Sequence, residues 1–175
     1  MNVRLLFGIS VAFGLVAWSV FAVNLWPLLQ DRSRADALRP LLILHAFRFI
    51  GLSFMVPGVV SPDLPMAFAR SAAYGDLVSA TLALLALASL RSRLGLGLAW
   101  VFNLCGTFDV LDAFYQANAS GLSAGQFGAT FFIPTFVVPL LVVTHVLVFR
   151  ILLKADPLHE IDEPPIKRVG EAIAR

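Results

Sequence analysis

The chain has 175 residues, of which 59% are hydrophobic and only 14% charged, with a formal net charge of +2. A water-soluble fold of this length has no interior large enough for so much apolar surface, whereas a polytopic membrane protein hands the excess to lipid. The basic residues are spread along loop edges with no aromatic-interleaved patch, which excludes a nucleic-acid partner, and the single cysteine, Cys105, excludes an intramolecular disulfide.

Residues 5–29 carry no charge over 25 positions and run on through Asn24, Trp26 and Pro27. That is too long for a secretory h-region and predicts a first transmembrane helix with Trp26 near an interface. A polar linker, QDRSRADALR, follows. The second span is expected over 40–60, with Pro40 at its first helical position and Pro57-Gly58 marking its end. His45 and Arg48, three apart, share a face within it.

The third span is expected over 66–90. Its Ser71, Gly75 and Ser79 form a small-xxx-small ridge that admits a close helix neighbour, within the chain or in a homo- or hetero-oligomer. Asp76 lies beside the ridge, with Arg70 and Tyr74 near the start. Span four, 94–117, is apolar enough to cross a bilayer yet holds Asn103, Asp109 and Asp112. Cys105, Asp109, Asp112 and Gln116 follow at helical spacing on one narrow stripe, while Asn103 points elsewhere. Span five, 129–153, contains Pro134 and Pro139, which break backbone hydrogen bonds, kink the helix and free carbonyls one turn back. The remaining 155–175 reads as a short solvated tail, and its His159 needs no role.

These segments predict an all-α, five-helix transmembrane bundle. The linker 30–39 holds three arginines, the 91–93 turn two, and the stretch from Arg150 onward five Lys or Arg. Loops 61–65 and 118–128 hold none. By the positive-inside rule the amino terminus faces outside and the carboxyl terminus the cytoplasm, with Arg4 the sole dissent.

Counting 1.5 Å of rise per residue from the cytoplasmic ends puts Arg48, Asn103 and His145 roughly 12–14 Å deep, with His45 shallower. Asp76 and Asp109 fall at roughly 21–23 Å, with Asp112, Tyr74 and Arg70 further out. Buried ions in a bilayer find one another, so Arg48 is expected to pair with Asp76 or Asp109. One deep cation does not balance three carboxylates, which leaves an acid protonated, hydrated or facing a ligand.

We therefore expect a partly wet pocket between spans two, three, four and five, with span one peripheral. Its candidate ligand-binding residues are Arg48, Tyr74, Asp76, Asn103, Asp109 and Asp112, with Asp112 the acid left free. The ligand class is a small polar or amphipathic molecule, an ion or a proton. No metal site and no cofactor is expected, and without a nucleophile–base pair or diacidic metal motif an enzyme ranks below a binding or transport role. The alternatives are a b-type haem protein with His45 and His145 as axial ligands, and a structural subunit whose polar groups only fix helix register.

Four runs carry a resemblance: His45-Ala-Phe-Arg48-Phe-Ile-Gly51; Leu64-Pro65 with Phe68-Ala69 and Tyr74-Gly75-Asp76; Trp100-Val-Phe-Asn103-Leu-Cys-Gly106-Thr-Phe-Asp109; and Ile133-Pro134-Thr-Phe-Val-Val-Pro139 leading to His145. Over residues 40–153 the chain resembles a group of small, uncharacterised bacterial multi-pass membrane proteins. The resemblance implies a bacterial inner-membrane location and no particular activity.

Overall fold

The computed structural model describes residues 2–154. Their elements are helical: α1 (Val3–Gln30), α2 (Arg34–Ala46) continued by a 3-10 helix (Phe47–Met55), α3 (Met66–Ala88), α4 (Arg93–Ala119), and α5 (Val138–Leu153) preceded by a π-helical turn (Ile133–Val137). Five of these segments are long and apolar enough to cross a membrane. Their outer surface is carbon-rich: Phe13, Val23, Phe108, Phe132 and Leu153 are each more than 70% exposed. Such a belt is compatible with a multi-pass membrane protein, because lipid solvates what water would reject.

The second helix departs most from expectation. It begins at Arg34, not at Pro40, so most of the expected linker is helical. Ser33 caps it, its hydroxyl accepting from Asp36 N at 3.1 Å and donating to Asp36 Oδ2 at 2.7 Å. Pro40 sits within the second turn, and its neighbours Ala37, Leu38, Leu41 and Leu42 are buried. From Phe47 the helix tightens to 3-10 winding. With about three residues per turn, positions three apart eclipse, and the buried residues there are Arg48, Gly51 and Phe54.

The fifth span starts at Ile133 rather than 129, because Ala124–Phe131 is a separate short helix with a break at Gly128 (φ +54°). A side chain at Gly128 would be strained, and its Cβ would stand 2.5 Å from Val59 O. Ala129 N donates to Val59 O at 2.8 Å and Ser61 N to Gln126 O at 3.1 Å, locking the two loops of this end together. Pro134 and Pro139 do disturb the helix, as expected, and the result is a π turn leading into α5. Two carbonyls of this turn face α1. Trp18 Nε1 donates to Phe136 O at 3.1 Å, and Thr135 O presses on Gly14, whose absent side chain admits it.

Helix α1 packs mainly on α5 and its π turn, with only Ala22 and Leu29 buried, yet, against expectation, its Arg4, Phe7 and Val11 line an internal cavity. The five helices form two apolar cores. One, around Leu38, Leu42, Phe102, Leu147 and Val148, fills the end bearing Arg34 and Lys154. The other, around Phe54, Phe68, Phe127 and Ile133, lies toward the interlocked loops. The expected tail, 155–175, and its His159 lie outside the described residues.

Candidate functional site

Between the two cores sits Arg48, whose side chain is only 1% exposed. A guanidinium in so apolar a setting requires partners for its charge and its N–H groups. Its Nε donates to Asp76 Oδ1 of α3 at 2.7 Å, and one Nη donates to Asp109 Oδ2 of α4. The other Nη donates to His145 Nε2 of α5 at 3.0 Å and reaches Gly106 O at 3.4 Å. The expectation of one partner, Asp76 or Asp109, becomes both. Arg48 and His145 of the expected inner layer thus join Asp76 and Asp109 of the outer one.

The histidine is equally committed. Its Nε2 accepts from Arg48, so the ring proton lies on Nδ1, which donates to Asn103 Oδ1 at 2.7 Å. Asn103 Nδ2 in turn donates to His145 O at 3.3 Å. His45 stacks beside it, ring centroids 4.5 Å apart, with Nε2 2.9 Å from Thr144 Oγ1. Its Nδ1 is buried without a hydrogen-bond partner. Sequence reasoning correctly put the two histidines together, yet this geometry does not suit haem. Axial ligands stand on opposite faces of a macrocycle, and no macrocycle fits between rings this close, with Phe102 packed on both. His145 also has no nitrogen left for iron. Among the described residues no group of His, Cys, Asp or Glu is arranged to hold a metal ion.

Three glycines make the cluster possible, and sequence reasoning assigned them no part in it. A Cβ at Gly51 would collide with the Asp76 carboxylate, and one at Gly75 with the Asp109 carboxylate. A Cβ at Gly106 would stand 2.6 Å from His145 Cε1 and 2.8 Å from Arg48 Nη1. The signal was present as spacing: Gly51 follows Arg48 by three, and Gly106 lies three from both Asn103 and Asp109.

The cluster floors a cavity of about 370 Å³. Asp76 and Asp109 border it below, carbon walls rise from Phe54, Phe68, Phe127, Ile133 and Leu141, and Arg4, Asn118 and Ser123 lie at its outer end. The other candidates lie elsewhere. Asp112, expected as the free acid, accepts from Ser71 Oγ at 2.5 Å and from Gln116 Nε2 at 3.4 Å. With Arg70, Tyr74 and Cys105 it borders a shallow groove on the outer face of α3 and α4. Tyr74 is 54% exposed and Cys105 exposed, and neither reaches the cavity. The Ser71/Gly75/Ser79 ridge is turned onto α4, where Ser71 binds Asp112 and Gly75 receives Asp109, so its small residues serve packing within the chain.

Residues 6–153 match a family model described as a domain of unknown function, DUF8737. The chain belongs to the DUF8737 family. The matched range takes in every member of the Arg48 cluster and all but one of the cavity-lining residues, Arg4. Neither the curated proteins nor the solved structures contain a match.

For this DUF8737 chain, Arg48→Met strands two acids and should lower stability by about 3–5 kcal/mol. Adding Asp76→Leu and Asp109→Leu to that variant should recover much of the loss. Unfolding of the purified protein in detergent checks this; strictly additive losses would separate the three residues. In the same assay Gly51→Ala, Gly75→Ala and Gly106→Ala should each cost roughly 1–3 kcal/mol, although alanine is the better helix former. Gly97→Ala, where a Cβ meets nothing within 4 Å, should hold or gain stability.

Proposed function

We propose that the protein is a multi-pass membrane protein that binds a small amphipathic molecule in the cavity above the Arg48 cluster. The cavity itself carries this reading. Its volume of about 370 Å³ falls in the range of small-molecule sites, and its mostly apolar wall with a few convergent polar groups is the usual composition of one. Of the expected ligand-binding residues, Asp76 and Asp109 meet the molecule. Arg48 borders the cavity with them, and Asn103 acts behind, through His145. Asp112 and Tyr74 take no part.

The orientation follows from charge. Arg32, Arg34, Arg39, Arg91, Arg93, Arg150 and Lys154 gather at the end of the bundle away from the cavity mouth. We assign that end to the cytoplasm of a bacterial cell and the mouth to the outer side of its inner membrane. Arg150, whose guanidinium carbon stands 3.9 Å from the Trp26 ring centroid, suits an interface on the same side. A purely structural subunit would need the cluster but not the space above it.

Two experiments bear on this. In a Cys105→Ser background, Ser61→Cys and Ser120→Cys should react with an impermeant maleimide on intact cells and Ser92→Cys should not; the reverse pattern inverts the topology. Separately, Ala113→Phe places a ring in the cavity. Mass spectrometry of the detergent-purified protein should find a small amphiphile with the native chain and lose it with this variant. An equal yield from both would end the pocket reading.

A further inference from the structure

Resting on that reading, we infer that the cavity selects an organic ammonium: a small molecule with an apolar body and one positively charged nitrogen. The floor that faces the cavity is acidic. Asp76 and Asp109 have side chains 11% and 13% exposed, whereas the Arg48 side chain beneath them is 1% exposed. Arg48 borders the cavity too, with its guanidinium almost wholly covered by its partners. Arg48 also has little left to give: four of its N–H groups are directed at Asp76, Asp109, His145 and Gly106 O. An anionic head group would meet two carboxylates before it met a free donor.

An ammonium meets the opposite situation. Each acid uses one oxygen on Arg48, and the second oxygens, Asp76 Oδ2 and Asp109 Oδ1, have no hydrogen-bond donor among the described residues. Two carboxyl groups share one guanidinium, so in a low-dielectric setting the floor has room for one further positive charge, carried by a proton or by a bound cation. Asp76 Oδ2 lies against Gly51 and Asp109 Oδ1 against Gly75, and among the described residues no third His, Cys, Asp or Glu joins them, which argues against a bare metal ion. Above the floor the wall is carbon, from Phe68 and Phe127 to Val138 and Leu141, which suits an aryl or alkyl body. The other charged lining residue, Arg4, is exposed at the rim, where water and salt screen it.

The test uses three probes with one apolar body, 4-phenylbutylamine, 4-phenylbutanol and 4-phenylbutyrate, titrated against the full chain in neutral detergent. The expected order is amine, then alcohol, then carboxylate, with the amine at least about tenfold tighter than the alcohol, as a charge-assisted hydrogen bond would give. Asp109→Asn should abolish the preference for the amine over the alcohol. If that variant does not fold, the order measured on the native chain still decides. An alcohol or carboxylate that binds as tightly as the amine overturns the ammonium assignment and leaves the pocket standing. Amine binding that survives Ala113→Phe lies outside the cavity and overturns the assignment as well. No binding by any of the three overturns the pocket together with it.

Discussion

A guanidinium buried in an apolar setting admits very few arrangements. Arg48 is held by groups from three other helices: Asp76 on α3, Asp109 and Gly106 on α4, and His145 on α5. Each bond has directional limits of a few tenths of an ångström, so together they fix the rotation and height of four helices at one level. Apolar packing between helices in lipid is permissive, since lipid tails are as apolar as the side chains they replace. The ion cluster supplies what such packing lacks, a single register. Helix α1 contributes nothing to it and is correspondingly the least buried.

The irregularities of the bundle follow from seating this cluster. Arg48 lies at the start of a 3-10 stretch, whose winding puts Gly51 directly after it on the same face and opens the place that Asp76 occupies. Gly75 and Gly106 do the same on α3 and α4. Asn103 and His145 then form a second tier that fixes which ring nitrogen faces the arginine. A glycine-to-alanine change here moves a carboxylate away from its cation, and so acts through electrostatics as much as through volume.

Much of this was legible in the sequence. Five spans follow from hydropathy, since long uncharged runs such as 5–29 have no other explanation at this length. The coupling of Arg48 to intramembrane acids follows from their cost in isolation. The expected vertical gap between them does not keep them apart: the Arg48 side chain reaches both, from a 3-10 stretch that a uniform rise per residue ignores. The polar stripe of span four also divides in a way that spacing cannot foresee. Asp109 reaches in to Arg48, Asp112 is taken by Ser71, and Cys105 faces out. Which acid remains available depends on a hydroxyl from another helix. The histidine pair shows the same limit, for matched depth located the two rings but not the Asn103 and Arg48 that occupy His145.

The two ends of the cavity differ in kind, and that difference bears on what the site can do. Toward the outer end it runs to Arg4, Asn118 and Ser123, polar residues that tolerate water. Below the Arg48 tier lie Leu38, Leu42, Phe102 and Val148, all fully buried, with Phe102 packed on His45, which meets Thr144. A carrier would have to part this core and break the bonds of Arg48 in the same movement, exposing a cation and two acids to hydrocarbon. A binding site needs neither event. Under the proposed binding role, the cavity would be entered at its polar end and closed at Asp76 and Asp109. The proposed role is therefore one of holding, with the rigid cluster acting as a fixed acidic floor to the cavity.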